Sequence, residues 1–97
     1  MGYYMEVGAH KRKAEHLVTE FGARVLTSPV PNFDKVPEGW VLVCIVDNGL
    51  FEAAAICYNQ EEIAEFRRSD GRPRTWVLVP REAVLSQHPS LAGVIAK

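Results

Sequence analysis

The sequence predicts a small α+β domain. A mixed sheet is built on a central β-hairpin (about 40–58), with a parallel crossover helix and further helices packed on the sheet. Three observations lead there. The longest apolar run, WVLVCIVDNGLFEAAAICY from Trp40 to Tyr58, is interrupted once, at Asp47-Asn48-Gly49. Helix-patterned and strand-patterned segments flank it in the order helix, short strand, hairpin, helix, strand, helix. The chain has 97 residues and is 47% hydrophobic. That is one domain, residues 1–97, able to bury a core without metals or disulfides.

Taken in order, residues 1–7 are apolar and aromatic (Tyr3, Tyr4, Met5) and suit either an arm or a short edge strand. From about Ala9 to Phe21, Ala14, Leu17, Val18 and Phe21 recur at i, i+3, i+4 and i+7, a single helical stripe. Gly22 stands where a left-handed helix stop belongs. Lys11, Arg12 and Lys13 face outward, as a solvated helix face does. Residues 24–27 form a short strand. The connection 28–39 holds Pro29, Pro31 and Pro37, each without an N–H donor and each steering its predecessor away from helix. Long irregular connections of this kind are often functional.

Asn48-Gly49 between apolar runs is a strong hairpin signal, because a type I′ turn needs φ > 0 at both central residues. With those two residues as the loop, Asp47 pairs with Leu50, Ile45 with Glu52, Cys44 with Ala53 and Trp40 with Cys57. One face then carries Trp40, Leu42, Cys44, Val46, Phe51, Ala53, Ala55 and Cys57. The other carries Val41, Val43, Ile45, Ala54 and Ile56, with Asp47 and Glu52 near the turn. Both faces need cover. A rival reading makes 50–68 one helix, since Glu-Ala-Ala-Ala favours helix. Its apolar stripe, however, runs into Glu61 and Glu62, and a new helix start stands at Asn59.

Asn59 is a good N-cap, with Glu62 three residues on to return the bond and Tyr58 and Ile63 as a hydrophobic staple. The helix from 59 to about 69 points Ile63 and Phe66 inward. RTWVLV (74–79) is the last strand, apolar enough to be buried on both sides. Pro80 opens a helix running to Gln87, His88-Pro89 stops it, and Leu91, Val94 and Ile95 form a last apolar patch. The step from the second hairpin strand through the 59–69 helix to 74–79 reads as a parallel crossover.

The pattern Asp47-Asn48-Gly49-x-Phe51-Glu52-Ala53-Ala54, followed by Arg72-Pro73-x-x-Trp76, resembles that of small uncharacterised proteins of bacteria and their phages. The resemblance covers about the middle third of the chain and implies no activity.

Composition narrows the function. The net charge of −1 gives no global attraction to nucleic acid or membrane. No apolar run approaches a bilayer span or forms a signal peptide, and Met1-Gly2 lacks the Ser or Thr at position 6 that myristoylation requires. A soluble cytoplasmic protein is expected. No cofactor is expected: there is no Gly-rich phosphate loop, and His10, His16 and His88 lack metal-ligand spacing. Cys44 and Cys57 share a face about 13 Å apart in the expected register, so they are read as free buried thiols.

Two features stand out. Glu52 is a carboxylate among apolar neighbours, which either reaches water near the turn or needs a partner. Arg67, Arg68, Arg72, Arg74 and Arg81 follow an acidic stretch containing Asp47, Glu52, Glu61, Glu62 and Glu65. Their guanidinium forks suit phosphate or carboxylate. The expected function is therefore a non-enzymatic binding or regulatory protein acting through a protein-interaction surface. A nucleic-acid or polyanion binder using the arginines comes second, and a small enzyme using Cys44 or Cys57 third. Because the predicted helices cover only one sheet face, a homodimer is expected, with the connection 28–39 as the alternative cover.

Overall fold

A computed structural model describes residues 3–5, 13–27, 31–47, 52–66 and 74–95. Among these, five strands form one sheet in the order β1-β4-β3-β5-β2. The strands are β1 Tyr3–Met5, β2 Arg24–Val25, β3 Trp40–Asp47, β4 Glu52–Cys57 and β5 Thr75–Pro80. The helices are α1 Lys13–Phe21, α2 Gln60–Glu65 and α3 Arg81–Gln87, and 3₁₀ turns span Phe33–Lys35 and Pro89–Gly93. The α+β domain and its central hairpin are as the sequence predicts, and residues 52–57 are strand.

Every hydrogen-bonded pair of strands is antiparallel, so the sheet is not mixed. β4 and β5 do run parallel and are joined through α2, but β3 lies between them and bonds to both. Inserting the hairpin's first strand between the crossover partners turns an expected parallel contact into two antiparallel ones. The N-terminal stretch resolves as an edge strand, β1, held on β4 by Tyr3↔Ile56, Tyr4↔Ala55 and Met5↔Ala54.

The hairpin register also differs from the expected one. Asp47 pairs with Glu52, Val46 with Ala53, Cys44 with Ala55 and Leu42 with Cys57, two residues along from a two-residue loop. Positions 48–51, including the expected Asn48-Gly49 tip, lie outside the described residues. Because side chains alternate with a period of two, a two-residue shift leaves every residue on its predicted face, and the hydrophobic pattern cannot distinguish the two registers. The shift brings Cys57 to a diagonal position from Cys44, roughly 7–8 Å between Cα atoms. Both thiols are free.

The first face carries Val41, Val43, Ile45, Ala54, Ile56, Val77 and Val79, packed under Leu17 of α1, Val84 of α3, and Leu91 and Ile95. Burial of each such aliphatic side chain contributes roughly 1.5–3 kcal/mol. Of the predicted α1 stripe, Ala14, Leu17 and Phe21 join this core, whereas Val18 is 39% exposed at its margin. Gly22 takes φ +71°, and its N–H bonds to the Val18 carbonyl at 3.1 Å, ending the helix as a left-handed cap. His10 and the basic residues 11–12 lie outside the described residues.

The second face carries Leu42, Cys44, Cys57, Trp76 and Leu78. It is covered by Ile63 of α2, by Phe66, and by Leu26, Phe33 and Val36 from the chain between β2 and β3. The proline-bearing connection therefore acts as a strap over the face that the helices leave short. That removes from this face the lack of cover on which the homodimer expectation rested.

Candidate functional site

Three segments converge where β3 begins and β4 ends. Asn32 caps the first 3₁₀ turn, its Oδ1 accepting from Asp34 N at 3.0 Å, and Lys35 N–H and Val36 N–H close the turn on Asn32 and Phe33 carbonyls. The Phe33 N–H donates to Gln60 Oε1 at 2.9 Å, tying the strap to α2. Gly39, at φ +87°, swings the chain into β3, and its carbonyl accepts from Arg81 N–H at 2.8 Å. A side chain at that φ is strained, hence glycine.

Arg81 secures the opposite wall. Its Nε donates to the Ile95 carbonyl at 3.0 Å and its Nη2 to the Ala92 carbonyl at 3.2 Å, so the second 3₁₀ turn is held against the start of β3. Between the two turns lies an apolar cleft of about 210 Å³, whose walls include Phe33, Val36, Trp40, Leu42, Tyr58 and Val94. A closed apolar cavity of about 150 Å³ already admits benzene, so this cleft has room for a branched or aromatic side chain. Val94 at its mouth is 52% exposed. The Arg24 guanidinium lies 4.8 Å over the Trp40 ring and occupies that aromatic face. A second hollow of about 330 Å³ lies on the other side of the strap, with the polar side chains of Thr27, Asn32 and Lys35 in its walls.

The α2 cap forms the remaining corner. Asn59 Oδ1 accepts from Glu62 N–H and Glu62 Oε1 accepts from Tyr58 N–H, both at 2.9 Å. The return bond thus reaches one residue before the cap. The nearby Glu62 carboxylate raises the Tyr58 phenol above its ordinary pKa, with burial, Tyr3 and Glu65 adding to the effect. Tyr3 on β1 meets Tyr58 edge-on at 6.4 Å and His88 at 5.6 Å, and His88 Nε2–H donates to the Tyr4 carbonyl at 2.7 Å.

The residues singled out from sequence are not gathered into one site. Arg67, Arg68 and Arg72 lie outside the described residues. Arg81 is engaged as described. Arg74 donates from Nε to the Phe66 carbonyl, and its buried Nη1 has no hydrogen-bond partner. Of the five, the two that are described, Arg74 and Arg81, both donate to carbonyls of their own chain. Glu52 is half-buried opposite Asp47 at the far end of β4 from the cleft, roughly 17 Å along the strand from Cys57.

Cys44 and Cys57 are both buried. Burial pushes each thiol from 9.0 up to about 12, outweighing the nearby Arg74 charge that favours the Cys44 thiolate. Their sulfurs contact the carbonyls of Ile45 and Asn59 respectively. His16 pairs with Glu20, and His88 is committed to Tyr4. Among the described residues no three His, Cys, Asp or Glu side chains converge as a metal site. Nor is any described helix long and apolar enough to cross a membrane.

The cleft residues Phe33, Trp40, Tyr58 and Val94 were not legible as a site. Their signal was diffuse: apolar residues inside a proline-rich connection, and an apolar patch after Pro89. Compared with protein-family models, curated proteins and solved structures, the chain has no match. Its site is therefore read from its own residues.

Proposed function

We propose that this chain is a small binding protein without catalytic chemistry, which receives a bulky apolar side chain of a partner protein in the cleft between its two 3₁₀ turns. The observation that carries this is the open apolar volume itself, walled by aromatic and branched side chains and fixed on both sides by hydrogen-bonded turns. Protein interfaces are built around such anchors, with aromatic residues enriched in them. The thiols support the same reading: a nucleophilic cysteine works as the thiolate, and burial opposes that form at both positions. The polyanion alternative draws less support, since Arg74 and Arg81 donate to carbonyls of their own chain.

Self-association is the same kind of binding with a second copy as partner. The edge strand β1 favours it, presenting Tyr3 and Tyr4 at 40% and 49% exposure. Selection of a displayed 12-residue peptide library on the wild-type chain, with counter-selection on Val94→Asp, tests the cleft. Peptides with a bulky apolar anchor and dissociation constants in the micromolar range are expected. Val94→Asp should weaken them at least tenfold while leaving the unfolding midpoint in place. Selection of no peptide that distinguishes the two chains would sink the cleft as a binding site.

A further inference from the structure

We infer that the partner segment carries a lysine or arginine beside its apolar anchor, seated at the corner where Tyr58 and Tyr3 meet the Glu62 and Glu65 side of α2. This rests on the cleft being the binding site and specifies what occupies it.

Charge is unevenly distributed around the cleft: the wall opposite the strap holds the Arg81 guanidinium, bonded to the Ile95 and Ala92 carbonyls, and the acids lie on the side of the strap and α2. Among their described residues, the strap and α2 carry Asp34, Glu38, Glu61, Glu62 and Glu65 against a single base, Lys35. On the far flank the Trp40 ring already has a cation over it, Arg24 at 4.8 Å. The Tyr58 corner differs. Tyr58 is both a wall of the cleft and the neighbour of Tyr3, and the Glu62 carboxylate reaches its backbone N–H at 2.9 Å, with Glu65 three residues further along α2. Aromatic rings supply negative faces and carboxylates supply charge-assisted acceptors, the combination that an ammonium or guanidinium group seeks. His88 also touches this corner, through Tyr3 at 5.6 Å. Its Nε2–H is directed to the Tyr4 carbonyl, not to these carboxylates.

A cation there would sit one side chain away from an anchor in the cleft, because Tyr58 belongs to both. An acidic or phosphorylated segment would meet the same carboxylates and be repelled, by the like-charge penalty that sets partner choice at interfaces. This polarity is opposite to that expected of a polyanion binder.

The peptides selected above provide the experiment. Those whose binding depends on Val94 should be enriched in Lys or Arg within three positions of the apolar anchor. For the best synthetic peptide, replacing that residue by Gln should weaken binding about tenfold. The Glu62→Gln/Glu65→Gln variant should weaken the parent peptide by a similar factor and the neutral peptide hardly at all. A glutamine carbonyl at position 62 can still accept from Tyr58 N–H, so the helix start is kept, and an unchanged unfolding midpoint confirms it. Raising salt from 50 to 500 mM should weaken the parent peptide and spare the neutral one. Val94-dependent peptides without a basic residue, or with affinity unchanged in the double variant, would overturn this inference while leaving the cleft intact. Absence of any Val94-dependent peptide would overturn both.

Discussion

Alkaline pH should destabilise this protein through its two thiols. Cys44 and Cys57 are fully enclosed on the second sheet face, and burial raises each from 9.0 to about 12. A thiol is neutral when protonated, so a raised pKa means the fold disfavours the thiolate. Below pH 9 both states keep the proton and the thiols contribute no pH dependence. Above pH 9 the unfolded chain releases protons that the folded chain retains, so stability falls as pH rises, until the folded thiols ionise near 12. At pH 10 the unfolded thiols lie one unit past their midpoint and the folded thiols two units short of theirs. The loss is then about 1–2 kcal/mol per thiol, about 3 kcal/mol for the pair. That is a large fraction of the roughly 5–15 kcal/mol that holds such a domain together.

The assay is urea denaturation at pH 8 and pH 10, followed by tryptophan fluorescence, on the wild type and on Cys44→Ala/Cys57→Ala. The truncation has its own cavity cost, but that cost is common to both pH values and cancels in the difference. Other alkaline titrations are shared by the two chains and cancel likewise. The wild type should lose about 3 kcal/mol more than the variant between the two conditions. Parallel losses would show that the thiols ionise as freely in the fold as out of it. The structural case against a cysteine nucleophile would then fail.

Further outcomes follow at four positions. Asn59→Ala removes the acceptor for Glu62 N–H and should cost about 1 kcal/mol, lowering the melting temperature by roughly 4–8 °C; Asn59→Asp should preserve it. Gly39→Ala meets no atom within 4 Å but must hold φ +87°, so a loss of about 1–2 kcal/mol is expected from backbone alone. Gly93→Ala, with neither crowding nor a positive φ, should be close to neutral in the same melt. Arg74→Ala should lower the urea midpoint, because Nε is bonded to the Phe66 carbonyl, and should leave heparin retention unchanged. A lower salt of elution would instead place its guanidinium on an anion-binding surface.

Local chemistry in the sequence determined much of this fold. Alternation assigned the core residues of β3 and β4 to their faces, Val41, Val43, Ile45, Ala54 and Ile56 to one and Trp40, Leu42, Cys44, Val46 and Cys57 to the other, because the pleat has a period of two whatever the register. Asn59 with Glu62 marked the start of α2 and Gly22 the end of α1, since each serves backbone groups within a few residues of itself. Pro80 marked the entry to α3 without a capping bond, as the last residue of β5 and one position before the helix. Other outcomes depend on contacts between distant residues. A register shift of two residues costs the pattern nothing, so Cys44 could be set opposite Ala55 only by the assembled ladder. The insertion of β3 between β4 and β5 is a choice of neighbours, and it made an expected mixed sheet antiparallel. The strap's role over the second face rests on contacts across the chain: Leu26, Phe33 and Val36 pack on Leu42, Trp76 and Leu78, and Phe33 N–H reaches Gln60 across 27 residues. The cleft requires Arg81 to reach 14 residues ahead to the Ile95 carbonyl. Periodicity and capping are properties of adjacent residues and are written in order along the chain. A cleft is a property of the space between segments, and it exists only once the tertiary structure has brought them together.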